Sequence, residues 1–190
     1  MAKRVYFAFH YQDVIDFRAN VVRNHSLTKG LEKAGYYDAS IWEESKKKGD
    51  LALKRMINAE LDYTSVTVVL VGSQTYARRW VRYEIMKSAE CGNRMLGVQI
   101  NSIPGKDKQT KPTGPNPFLY LGVTISADGK RATPHEWDGA KWKLYSDLGA
   151  FTLPEQPVEN RGKVFQLSQW IPVKDWVLDN GFTNFNTWVA

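Results

Sequence analysis

The stretch from Ser65 to Gly72 restricts this chain more than any other, because its centre, VTVVLV, is apolar or β-branched at every position. A strand with one wet face would alternate, and six residues are too few for a buried helix, so the run reads as a strand covered on both faces. Such a strand sits inside a parallel sheet, and parallel neighbours must be joined by crossovers that are usually helices. The flanking sequence supplies them. RVYFAF at 4–9 is a buried first strand. From Val14 the positions Val14, Phe17, Val21, Val22 and Leu27 keep helical spacing towards Leu31, with Gly35 as a stop. Tyr36 to Ile41 reads as a weak second strand. LALKRMINAEL follows as a helix with Leu51, Leu53, Met56, Ile57 and Leu61 on one face and Asp50 as N-cap. A third helix is expected over Ser73–Glu90, and RMLGVQI supplies a fourth strand.

The expected class is therefore α/β: a flavodoxin-like parallel sheet of order 2-1-3-4-5 with helices on both faces, formed by residues 1–103. After Ile103 the run PGKDKQTKPTGPNPF excludes regular structure and marks a surface insertion. Beyond it, Asp128 and Gly129 between β-prone segments predict a hairpin. Trp137, Trp142 and Tyr145 are expected to anchor this region. PVKDWVLDNG reads as a short helix with Pro172 in its first turn. Residues 104–190 form an insertion and extension on one domain spanning 1–190, a length suited to a single core.

At 43% hydrophobic and 24% charged residues, the composition excludes a disordered or fibrous chain. No run approaches the roughly 18 apolar residues a membrane span needs, and the first residues carry no cleavage signal. With a single cysteine, Cys91, this points to a cytoplasmic protein with no internal disulfide and no multi-cysteine metal site. The net charge of +6 suits a polyanionic partner, whether nucleic acid, an acidic surface or a small phosphate-bearing metabolite. The lysines are scattered and no stacking motif lies on a strand, so nucleic acid is set aside. The absence of GxxxxGK[ST] and of GxGxxG after the first strand argues against P-loop and dinucleotide-dehydrogenase chemistry. Gly72 and Ser73 stand where a phosphoacceptor receiver needs a carboxylate. His25 and His135 lack ligand spacing, and no metal is expected.

In open parallel sheets ligands bind beyond the carboxyl ends of the strands, here between strands one and three. That selects the loops His10–Asp13, Ile41–Asp50 and Gly72–Tyr76. On the third helix Tyr76, Trp80 and Glu84 share a face, with Val81, Ile85 and Ser88 on the stripe that meets the sheet. A carboxylate shielded by an indole could oppose charge on a ribosyl cation. On spacing alone, the same residues read as a packed aromatic edge and a solvated acid paired with Lys87. His10 could bind a ligand or merely decorate a loop, and Asp38 could hold ribose or cap backbone amides.

RVYFAFHYQD, YDASIWEESKKKGD and VTVVLVGSQTYARRWVRYEI together resemble the TIR-domain family, most closely the TIR-like proteins of bacterial Thoeris anti-phage defence. The likeness runs nearly the full chain and is most specific over Ser65–Ile85. It implies an enzyme that takes NAD as substrate, with no further cofactor, releases nicotinamide and cyclises the ADP-ribose into a signal for an effector protein. Self-association on activation is also implied. The family's essential glutamate maps onto Glu84, its tryptophan onto Trp80, the strand-one exit onto Phe9 and His10, and the aspartate ending strand two onto Asp38. Ser73 and Tyr76 would border the crevice. The usual arginine after strand one is replaced by His10 and Tyr11, and the receptor-type proline is missing from the second-strand loop. The rival is a TIR-like scaffold without turnover.

Overall fold

The computed structural model describes residues 4–28, 32–34 and 47–190. Its main sheet is parallel throughout. The strands β1 (Arg4–Phe9), β2 (Glu32–Ala34), β3 (Val66–Val71), β4 (Arg94–Gln99) and a late strand, Val173–Asp175, lie in the order 2-1-3-4 with the late strand outside β4. This is the expected 2-1-3-4-5 sheet. All six residues of β3 are buried, as the unbroken apolar run demanded. On β1, side chains alternate between two cores: Tyr6 and Ala8 face one, Val5 and Phe7 the other. The first core is closed by α3 (Asp50–Leu61, through Ile57 and Leu61) and α4 (Arg79–Glu90), the second by α2 (Arg18–Thr28) and the C-terminal α5 (Gly181–Val189).

Several boundaries differ from expectation, each for a local reason. The helix expected from Val14 is broken into α1 (Tyr11–Ile15) and α2. Phe17 takes a left-handed conformation, φ 64°, which turns Arg18 into the interior. Tyr36–Ile41 lies outside the described residues; the strand that pairs with β1 is Glu32–Ala34. Asp50 is the first residue of α3, not its N-cap. The N-cap is Gly49 at φ 93°, and Asp50 instead pairs with Arg79 at 2.7 Å. The helix expected from Ser73 starts only at Arg79, after a 3-10 turn at Thr75–Ala77. There the Thr75 hydroxyl accepts the Gly72 amide at 2.9 Å and donates to the Leu70 carbonyl at 3.3 Å, so the turn is tied back to β3.

The hairpin at Asp128–Gly129 forms as expected. Strands β5 (Leu121–Ile125) and β6 (Arg131–Trp137) pair antiparallel, with β7 (Trp142–Leu144) and β8 (Phe151–Thr152) on β6 and β9 (Val164–Gln166) on β5. Val123, Ile125, Ala132 and Phe151 join the core beneath α4, so this second sheet packs on the α3 and α4 side. Of the three expected anchors only Tyr145 enters that core; Trp137 and Trp142 pair with each other across two strands, 5.8 Å apart.

PVKDWVLDNG is not a helix. Val173–Asp175 is the edge strand β10, because β4 offers it an unpaired ladder, and the Asp175 carboxylate then accepts the amides of Val177 and Leu178 to turn the chain. The helix lies in the aromatic tail, where Phe185 and Val189 are buried.

Candidate active site

Helix α4 departs from the carboxyl edge of β3 and returns to the start of β4, so its first turn lies nearest the crevice between β1 and β3. Trp80 occupies that turn, half-buried against the core, edge-on to Tyr83 at 6.0 Å and covered by the Arg79 guanidinium at 4.9 Å. Glu84 lies one turn deeper. Its side chain is buried, 6% exposed, and Oε1 accepts a 2.7 Å hydrogen bond from the hydroxyl of Tyr6 in the middle of β1.

The solvated acid paired with Lys87 does not exist: Lys87 pairs with Glu90. Burial pushes the Glu84 carboxyl up to about 8, against a smaller pull from the Tyr6 hydroxyl. Val81, Ile85 and Ser88 are buried as expected, and the Ser88 and Thr67 hydroxyls lie 2.8 Å apart.

Around the crevice, Phe9 ends β1 with the Arg23 guanidinium 5.1 Å above its ring. His10 follows, held below its ordinary value by burial and by the charge of Arg78. Ser73 accepts from the Asn101 amide at 3.0 Å. Tyr76 does not continue the face of Trp80 and Glu84, since it sits in the 3-10 turn and packs on Tyr120 at 4.8 Å. Phe9, His10 and Ser73 thus lie at the ends of β1 and β3, with Phe9 packed against the second core, while Trp80 packs against the first; Tyr76 sits in the turn between β3 and α4, and Asp38 lies outside the described residues.

Three features escape a reading by motif. Tyr6 is the first, although a phenol inside a buried strand must find a hydrogen-bond partner, and that requirement could have flagged it. Asp13 is the second. It is buried, its carboxylate presses on Gly72, where an added Cβ would lie 2.3 Å from Oδ1, and burial above all raises its pKa to about 6. Oδ2 has no hydrogen-bond partner among the described residues.

The third is the segment after Ile103, which is no loose surface insertion. Gln99 and Gly114 exchange two hydrogen bonds, the Asn101 amide donates to the Pro112 carbonyl at 2.7 Å, and Gly114 packs on the Gly72 carbonyl. Buried Arg18 donates to the carbonyls of Ile103 and Gln109 at 2.9 and 2.6 Å, and Lys111 pairs with Asp16. The segment therefore roofs the carboxyl ends of β3 and β4.

A parallel sheet of order 2-1-3-4 extended by a fifth strand, with helices on both faces, defines a flavodoxin-like α/β protein. Residues 6–104 match the family described as Thoeris protein ThsB, TIR-like domain. A protein of Bacillus cereus (strain MSX-D12), named "Putative cyclic ADP-D-ribose synthase ThsB1", is 55% identical over 191 residues, covering 100% of both chains. The chain belongs to the ThsB TIR-like family.

Proposed function

We propose that this chain is an NAD-consuming enzyme that cleaves the nicotinamide–ribose bond and closes the ADP-ribose into a cyclic ADP-ribose isomer, which activates an effector protein. The observation that carries the reading is Glu84, an acid buried one helical turn beyond Trp80 and hydrogen-bonded by Tyr6; kinship with a relative named for cyclic ADP-D-ribose synthesis supports it.

The chemistry follows from that environment. In the free protein the Glu84 carboxyl holds its proton at neutral pH, because its value is raised to about 8. The positively charged nicotinamide-ribosyl group of NAD favours the carboxylate, so binding and deprotonation are coupled. The C1′–N bond then breaks, its electron pair leaves with nicotinamide, and the positive charge passes to the ribosyl carbon, where the carboxylate opposes it. A hydroxyl of the same molecule attacks C1′, and Glu84 accepts the proton that hydroxyl loses. Trp80 narrows the space in which water could compete. NAD, with no metal and no further cofactor, suffices for this sequence.

Incubation of the purified protein with NAD, followed by mass spectrometry, should show nicotinamide and a product at the mass of cyclic ADP-ribose, and Glu84→Gln should abolish both. Undiminished nicotinamide release by Glu84→Gln would refute the assignment.

A further inference from the structure

Arg78 stands at the rim of the crevice with no role in the bond-breaking steps. It is the N-cap residue of α4, extended at φ −85°, ψ 118°, and its side chain is exposed. The arginines that follow are committed elsewhere. Arg79 binds the Asp147 carboxylate through two hydrogen bonds of 2.8 Å and pairs with Asp50, while Arg82 pairs with Glu136 at 2.8 Å and donates to the Tyr76 carbonyl. Among the described residues, no acid or acceptor engages Arg78.

Most exposed arginines are simply solvated, but three observations separate this one. It closes the loop that leaves β3, so it stands at the edge where the fold gathers ligands. It lies close enough to His10, the exit residue of β1, that its charge opposes protonation of that ring. The first turn of α4 holds no acid and no side-chain cap, leaving the opening amides of a 12-residue helix turned towards the same rim. An exposed guanidinium, an imidazole beside it and free helix amides together complement a compact dianion whose oxygens accept several hydrogen bonds at once.

We propose that Arg78, with His10 beside it, binds the diphosphate bridge of the dinucleotide. This rests on the reading of the protein as an NAD enzyme and deepens it, assigning a binding residue rather than one that moves electrons. The diphosphate at the rim sets the nicotinamide ribose one turn inward, beside Trp80 and Glu84, and leaves the adenosine end towards the outside.

The test uses the intact protein and two probes, ADP and adenosine, titrated calorimetrically into wild type, Arg78→Ala, Arg78→Lys and Glu84→Gln, with KM and kcat for NAD measured alongside. Losing charge-assisted hydrogen bonds should weaken ADP binding to Arg78→Ala by on the order of ten- to a hundredfold, with adenosine changed far less. KM for NAD should rise more than kcat falls. Arg78→Lys should recover part of the loss, since it keeps the charge but not the fork. Failure of the wild type to bind ADP, or equal ADP affinity in wild type and Arg78→Ala, would overturn the assignment. ADP binding that depends on Arg78 in a protein that leaves NAD intact would uphold the diphosphate site and refute the cyclase. Turnover of NAD with unchanged KM in Arg78→Ala would do the reverse.

Discussion

Replacing Glu84 by glutamine should remove a pH dependence of stability that the wild type carries. The carboxyl is buried and its folded value is about 8, against an unfolded reference of 4.5. Between those values the unfolded chain has released the proton and the folded chain has kept it. The unfolded state binds fewer protons, so stability falls as pH rises through this window. The full shift corresponds to about 5 kcal/mol, of which about 3 to 4 kcal/mol falls between pH 5 and pH 8.

For a chain of this size that is a drop of roughly 7 to 15 °C in Tm. Asp13, raised to about 6, acts with the same sign below that pH, but it is present in both proteins and cancels on subtraction. Glutamine still offers a carbonyl oxygen to the Tyr6 hydroxyl, and any penalty from its buried amide is the same at both pH values. The measurement is the urea midpoint at pH 5 and pH 8 for wild type and Glu84→Gln. The variant should lose less stability over this interval by about 3 to 4 kcal/mol. Parallel changes in the two proteins would refute a buried, protonated Glu84.

Two further outcomes follow from contacts near the crevice. Tyr6→Phe removes the hydrogen bond that pulls the Glu84 value down, so the acid limb of kcat/KM for NAD should move to higher pH, with a stability loss of about 1–3 kcal/mol; an unmoved limb would show that the phenol does not tune the acid. Gly114→Ala would set a Cβ 2.2 Å from the Gly72 carbonyl oxygen, a backbone atom that cannot swing aside, and should destabilise the protein by about 1–3 kcal/mol. It should also speed proteolysis within 104–116, and a cleavage rate equal to wild type would mean the roof is not held at that joint.

The first and third strands were legible in the chain because burial on both faces writes itself into composition. VTVVLV and RVYFAF have no polar face to spare, and the Asp128–Gly129 hairpin is specified by two residues. Boundaries governed by single hydrogen bonds were not legible. The start of α4 depends on the Thr75 hydroxyl, and the kink at Phe17 on where Arg18 finds its carbonyl acceptors. PVKDWVLDNG carries a helical start signal, yet the free edge of β4 recruits it as a strand.

Sequence alone determined the α/β class and the placing of Trp80 and Glu84 on one helix, since these follow from periodicity along a continuous stretch. Only the tertiary structure decided that Glu84 is a buried acid, hydrogen-bonded by Tyr6 78 residues away in the chain, rather than a solvated partner of Lys87. The same holds for the roof over the crevice, where Arg18 binds a segment 91 residues distant at its far contact. Desolvation and hydrogen bonding act through space, and no local pattern records which distant group will close over a side chain.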